Sequence, residues 1–266
     1  SFAVVNKIDR STKVSKQLLV KDSLKSLTNI SKKVRLNSLA KVIAITGSCG
    51  KTSLKELLGN IFGKISKVSY SPKSYNNKYG VPLSIFNINK HDDFNIFEIG
   101  MDKKGEIDLL SKIIKPDVGV ITNISYAHAK NFKNLNQIAD AKSEIINNIN
   151  LNGSIVLNAD DIFFKKHKRI ALNKNLKIYS FSLRKPNTNV CIKKIIKLKN
   201  KYKILINVNK KQKIFFIKSI FESNLKNMLA ALAVISIFKN VNKLNQNIFY
   251  ISHQCPECDK PYIIKL

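Results

Sequence analysis

The run Ile43-Ala44-Ile45-Thr46-Gly47-Ser48-Cys49-Gly50-Lys51-Thr52-Ser53 puts an apolar stretch, a glycine-bracketed turn and a Lys-Thr pair in direct succession. Glycines let a backbone approach phosphate oxygens closely, and the unpaired amides at a helix start hold them with help from the helix dipole. Lys51 would neutralise a terminal phosphate, and Thr52 has the hydroxyl that such loops turn toward Mg²⁺. Gly47, Ser48, Cys49, Gly50, Lys51, Thr52 and Ser53 are therefore the candidate phosphate-binding residues. The long form G-x-x-x-x-G-K-[ST] has a glycine where this chain has Ile45, which makes this a shorter T-G-x-x-G-K-T-S variant. The plainer alternative is an ordinary strand-to-helix turn with a surface lysine.

Two further positions carry chemistry. Glu98, in Phe97-Glu98-Ile99-Gly100, closes an apolar run, and His128 follows Thr122-Asn123-Ile124-Ser125-Tyr126-Ala127. If both runs are parallel strands, their carboxyl ends share a rim with Lys51 and Thr52, where ligands of open α/β sheets bind. Glutamate, threonine and an occasional histidine suit a hard cation bridging phosphates. An isolated strand-end acid and a loop histidine are the bland reading. The polar loop 71–82, with Asn76 and Asn77, reads alone as a turn. Cys255 and Cys258 form a C-x-x-C pair with only His253 nearby, too few ligands for a zinc site.

The elements that must position these groups alternate. Strands are expected near 42–46, 94–99, 117–124, 153–158 and 177–182, with helical patterns at 51–63, 105–115 and 135–150 between them. Such alternation predicts an α/β fold of P-loop type, a mostly parallel sheet with helices on both faces. From Asn189 to Ile217 the period changes to two, predicting a small antiparallel section turning around Lys199-Asn200-Lys201. A last helix, 224–238, shows Leu225, Met228, Leu229, Leu232 and Ile235 on one face. The segment before Leu39 looks ragged and basic.

The chain's 266 residues allow one large domain or two small ones, and 44% hydrophobic content makes it globular. No apolar run approaches a membrane span, the first residues do not resemble a signal peptide, and four cysteines are too sparse for a disulfide framework. A cytoplasmic location and a monomer are expected. The formal charge of +30 invites a nucleic-acid reading. Only Arg10, Arg35, Arg169 and Arg184 are arginines, however, and the lysines are scattered through every segment. No dedicated nucleic-acid partner is expected.

Thr46-Gly47-x-x-Gly50-Lys51-Thr52, Asn76-Asn77-x-x-Gly80-x-Pro82, Glu98-Ile99-Gly100, Gly105-Glu106-Ile107, Thr122-Asn123-Ile124, Ala127-His128, Ala141-Lys142-x-Glu144 and Leu157-Asn158-x-Asp160-Asp161 occur here in the order seen in Mur ligases. Over roughly residues 15 to 240 the chain resembles that family. The double-Asn loop and the Gly-Glu-Ile run are most similar to the member that adds D-alanyl-D-alanine to UDP-N-acetylmuramoyl-tripeptide in cell-wall peptidoglycan synthesis. The resemblance implies ATP-driven amide synthesis: the substrate carboxylate takes the γ-phosphate, and the dipeptide amine attacks the acyl phosphate. It implies Lys51 on the β and γ phosphates, Thr52 and Glu98 around Mg²⁺, and His128 at a second metal position. It further implies Lys142 as a carbamylated lysine, Asn224 and Asn227 at the adenine, and Asn76 and Asn77 toward the substrate. Lys51, Lys142 and His128 are then the catalytic candidates. Ser223 stands where such ligases often have a histidine.

By the same resemblance, residues 1–38 are expected to be the tail of a substrate domain, 39–245 the ATP-binding domain, and 246–266 the start of a junction to a closing domain. Cys258-Asp259-Lys260-Pro261 stands near the expected Gly-Arg junction, so the chain is expected to be an ATPase core. A folylpolyglutamate-type ligase, another Mur ligase and a non-catalytic nucleotide-binding protein are the alternatives.

Overall fold

In the computed structural model, which describes residues 3–126 and 131–250, the phosphate-loop strand lies inside a nine-stranded sheet. That strand, β3 (Lys41–Thr46), alternates its side chains between two cores: Val42 and Ala44 enter one, Ile43 and Ile45 the other. A strand buried on both faces has no need of a polar side, which is why it reads as a continuous apolar run. The sheet order is β11-β10-β9-β8-β7-β6-β3-β5-β4. Its parallel part comprises β4 (Val68–Tyr70), β5 (Phe94–Glu98), β3, β6 (Val118–Ile121), β7 (Ser154–Asn158) and β8 (Lys177–Ser182), and β9 (Val190–Lys197) joins β8 in parallel. β10 (Tyr202–Val208) and β11 (Lys211–Ile217) complete it as an antiparallel meander. The turn between β9 and β10 falls at 198–201, where the change of period places it.

Helices cover both faces. α2 (Lys51–Phe62) and α7 (Glu222–Phe238) share one core, which includes Leu54, Leu58, Leu229 and Leu232. α3 (Gly80–Ile85), α4 (Glu106–Ile114), α5 (Leu135–Asn147) and α6 (Phe164–Asn173) contribute to the other. α7 is buried almost all round rather than on one face, with Ala230, Ala231 and Ala233 as enclosed as its leucines. Its alanines let the α2 and sheet backbones approach from several sides.

Besides the edge strand β4, which the expected outline lacks, two regions depart from it. The ragged basic segment contains α1 (Ser23–Leu36), whose N-cap Asp22 accepts from the Lys25 amide, preceded by β1 (Ala3–Val5) paired in parallel with β2 (Gln17–Leu19). α1 packs over α3 and α4. Its buried Arg35 donates to the carbonyls of Ile114, Lys115 and Ser38, so it caps the C-terminal end of α4. α6 also escapes the periodicity, because its residues His167 and Ala171 are its only buried ones. No helix among the described residues is long and apolar enough to cross a membrane.

Candidate functional site

β3 pairs with β5 on one side and β6 on the other, so strand order reverses around it and a crevice opens at the carboxyl ends. The loop after β3 occupies that point. Gly47 has φ 147°, and a Cβ there would meet Thr122 Oγ1 at 1.9 Å; Gly50, the N-cap of α2, has φ 81°. Both positions require glycine, one chiefly for space and one for handedness.

Side chains lash the loop to the segment after β6. Asn123 accepts from the Ser48 amide through its carbonyl at 3.0 Å and from the Cys49 amide through Oδ1 at 2.9 Å. Thr122 Oγ1 donates to the Cys49 carbonyl at 2.7 Å, and Ser48 Oγ donates to the Ser125 carbonyl at 2.9 Å. Thr122, Asn123 and Ser125 thus hold the loop in shape, a role that strand-end polar residues do not announce in sequence.

Below the loop, ionisable groups converge. Lys51 is only 7% exposed, with Nζ 3.4 Å from the Ser48 carbonyl. Glu98 is 1% exposed and accepts from Thr52 Oγ1 at 2.8 Å through one oxygen and from Asn76 Nδ2 at 2.7 Å through the other. The loop that carries Asn76 is held in turn by the Gly100 amide, which donates to the Asn76 carbonyl at 2.7 Å. Asn77 Oδ1 accepts from the amides of Tyr79 and Gly80, so that side chain shapes the turn into α3. Lys142, on α5, is 3% exposed. Burial, followed by the nearby charge of Lys51, lowers its pKa to about 7, with Cys49 opposing the shift.

On the other side of the loop, a shallow crevice is lined by Cys49, Gly50, Ser53, Asn123, Asn224 and Asn227, among others. Asn227 lies against the loop, its Oδ1 2.9 Å from where a Gly50 Cβ would stand. The hydroxyl of Ser53 is buried with no hydrogen-bond partner among the described residues. The structure therefore gathers Gly47 to Ser53, Glu98, Asn76 and Lys142 on one rim, with Asn224 and Asn227 beside them. His128, Cys255 and Cys258 lie outside the described residues.

Sequence reasoning passed over three supports. Lys55 is wholly buried on α2, donates to the Lys73 carbonyl and pairs with Glu56 at 3.0 Å, so it ties the 71–79 loop to the phosphate-loop helix. In so lysine-rich a chain nothing distinguished it. Glu144 accepts from the amides of Gly105 and Asp108, capping the N-terminal end of α4. Asp161 accepts from the Ile124 amide, and Asp160 from Ser182 Oγ and the Leu183 amide, so this pair fixes loops rather than facing the crevice.

Oxygen donors from a hydroxyl and a carboxylate are the chemistry a hard divalent cation takes, and Mg²⁺ commonly uses one or two carboxylates completed by phosphate oxygens. Among the described residues no three His, Cys, Asp or Glu side chains form a metal cage. Thr52 and Glu98 fit the first pattern.

A family model for the Mur ligase middle domain matches residues 45–235. A UDP-N-acetylmuramoyl-tripeptide--D-alanyl-D-alanine ligase of Buchnera aphidicola is 34% identical over 174 residues, covering 65% of this chain and 38% of its own length. The ligase of the same name from Borreliella burgdorferi is 43% identical over 143 residues, 53% of this chain and 30% of its own. The crystal structure of MurF from Acinetobacter baumannii is similar with a TM-score of 0.81 at 29% identity, covering 90% of this chain and 52% of that one. The chain spans less than two fifths of the length of these two curated relatives.

Proposed function

Because the chain belongs to the Mur ligase family, we propose that it serves an ATP-dependent, ADP-forming ligase joining D-alanyl-D-alanine to UDP-N-acetylmuramoyl-tripeptide. In this reading the tripeptide carboxylate attacks the γ-phosphorus and ADP leaves. The dipeptide amine then attacks the acyl carbon, and inorganic phosphate departs with the amide bond formed.

The observation that carries the reading is the convergence of Thr52, Asn76 and Glu98 beside a buried Lys51 at the mouth of a glycine loop. A carboxylate as enclosed as Glu98 is costly unless its oxygens are engaged. Both are engaged, one by the residue after the loop lysine. Thr52 and Glu98 would hold Mg²⁺, which when bound supplies positive charge to the β and γ phosphates. Lys51 holds the terminal phosphate, and the loop amides take its oxygens.

Lys142 completes the proposal. With its pKa lowered to about 7, much of the amine is neutral at neutral pH, the form that adds CO₂ and releases a proton to leave a carbamate. That turns a cation beside Lys51 into an anion able to offset it or to bind metal. His128 is proposed for a second metal position. Asn224, Asn227 and the orphaned Ser53 hydroxyl are proposed for the nucleoside end of ATP, since they line one crevice. Asn76 and Asn77 are proposed to face the tripeptide, Asn76 also orienting Glu98. Residues 39–245 form the proposed ATP-binding unit, with 1–38 and 246–266 assigned to adjoining parts.

Isothermal titration of MgATP into the 266-residue chain tests this. Wild type should bind, and Lys51→Ala should lose about ten- to a hundredfold, the loss of a charge-assisted contact to phosphate. Equal affinities would remove Lys51 from the site.

A further inference from the structure

Residues 162–221 contain sixteen lysines and two arginines and not one Asp or Glu. This stretch supplies +18 of the formal +30. It folds into α6 and β8 to β11, one end of the sheet.

Within that end the meander has one covered face. Ile204, Ile206 and Phe215 point into the core shared with α7, the helix that packs on these strands. The alternate residues point the other way in two cross-strand rows: Lys194, Leu205 and Ile214 in one, Ile196, Lys203 and Phe216 in the next. Ile196 is 37% exposed, and Lys201 Nζ sits 4.3 Å over the Phe216 ring. The outer face is thus a checkerboard of aliphatic side chains and ammonium groups, without an acid to neutralise it anywhere in the segment.

We propose that this outer face of β9–β11 docks on an anionic phospholipid bilayer. Lysines near a negatively charged leaflet each strengthen attachment roughly fivefold, and interleaved aliphatic residues gain by entering the headgroup boundary. Charge complementarity alone would also attract nucleic acid. Sequence-tolerant strand binding depends on aromatic platforms and base contacts on arginine. This face has a single ring, already covered by Lys201, and the segment holds lysine over arginine by eight to one.

The test is flotation of the full 266-residue chain with phosphatidylcholine vesicles, with and without 30% phosphatidylglycerol, at about 0.1 M salt, where the Debye length is about 10 Å. Binding is expected only to the anionic vesicles. Lys194→Gln with Lys203→Gln should weaken it about twenty- to thirtyfold, and Ile196→Ser several-fold. Lys32→Gln with Lys33→Gln on α1 makes the same change of charge elsewhere and should leave it within about threefold. Circular dichroism and unchanged MgATP binding verify that each variant is folded. Equal losses in the two double variants would reduce the effect to net charge and overturn the assignment. So would failure to float with anionic vesicles, or tighter binding of a 20-nucleotide single strand sensitive to the same substitutions.

Discussion

The two ends of the sheet place charge in opposite ways. At the carboxyl ends of β3, β5 and β6, Lys51, Lys55, Glu98 and Lys142 are buried together with Thr46, Ser48, Thr122 and Asn227. In β9 to β11, dense in lysine, no polar or charged side chain is buried. Burying an ionisable group is costly unless partners compensate it, so the first end maintains a strained arrangement that the second avoids. In a chain whose composition is basic throughout, the number of lysines says little about chemistry. Their depth says much more.

The sharpest challenge to this contrast is Gly47→Ala. The new methyl would overlap Thr122 Oγ1, and the loss of stability should reach about 3 kcal/mol or more in urea unfolding. Gly105→Ala, also at positive φ but with nothing within 4 Å of its Cβ, should cost only about 1 kcal/mol from backbone strain. Similar losses at both would mean that the loop is not tightly packed against β6.

Next in size is Glu98→Ala, which leaves the Thr52 hydroxyl and the Asn76 amide without their acceptor and should cost about 2 to 4 kcal/mol. The matched change Lys203→Ala, on the outer face of the meander, should stay within about 0.5 kcal/mol. Denaturation midpoints measured side by side decide whether the ends differ as described.

Lys142 makes the contrast depend on pH. Its pKa is about 7 in the fold against 10.5 when exposed, so between those values the unfolded chain holds a proton that the folded chain lacks. Stability therefore rises with pH across this window, and the cost of burying the ammonium is fully present below about pH 7. Lys142→Met removes that titration. Its stability advantage over wild type should shrink by about 1.4 kcal/mol per pH unit, or roughly 2 to 3 kcal/mol between pH 7 and 9 in CO₂-free buffer. A constant difference would show that the amine does not titrate in this range.

The smallest effect belongs to the meander's own turn. Asn209 and Lys210 both have positive φ, 48° and 67°, between β10 and β11. Glycine is favoured at the second place of such a two-residue turn, so Lys210→Gly should raise stability by about 0.5 to 1 kcal/mol. A loss there would show that the lysine does more than complete a turn.

What the sequence disclosed follows from how each element is buried. β3, β5, β6, β7 and β8 were legible because both faces are apolar or their ends are punctuated, and the phosphate loop because its glycines are obligatory. α1 was not, since the residues it buries are Ser31 and Arg35, which leave no apolar stripe. α6 hid for the same reason. At the site, Glu98 could be placed from its position at a strand end. The link from Asn76 to Glu98 could not, because it depends on where the 71–79 loop is tethered, and that tether is Lys55 reaching the Lys73 carbonyl.

α4 is held at both ends by charged side chains from other helices: Arg35 of α1 grips its last carbonyls, and Glu144 of α5 grips its first amides. A nine-residue helix clamped in this way acts as a strut about 13 Å long. Glu144 lies two residues beyond Lys142 on α5. Hydrogen bonds thereby link α1, α4 and α5 in series, and the last of them sits within a turn of Lys142, a buried amine with a pKa of about 7.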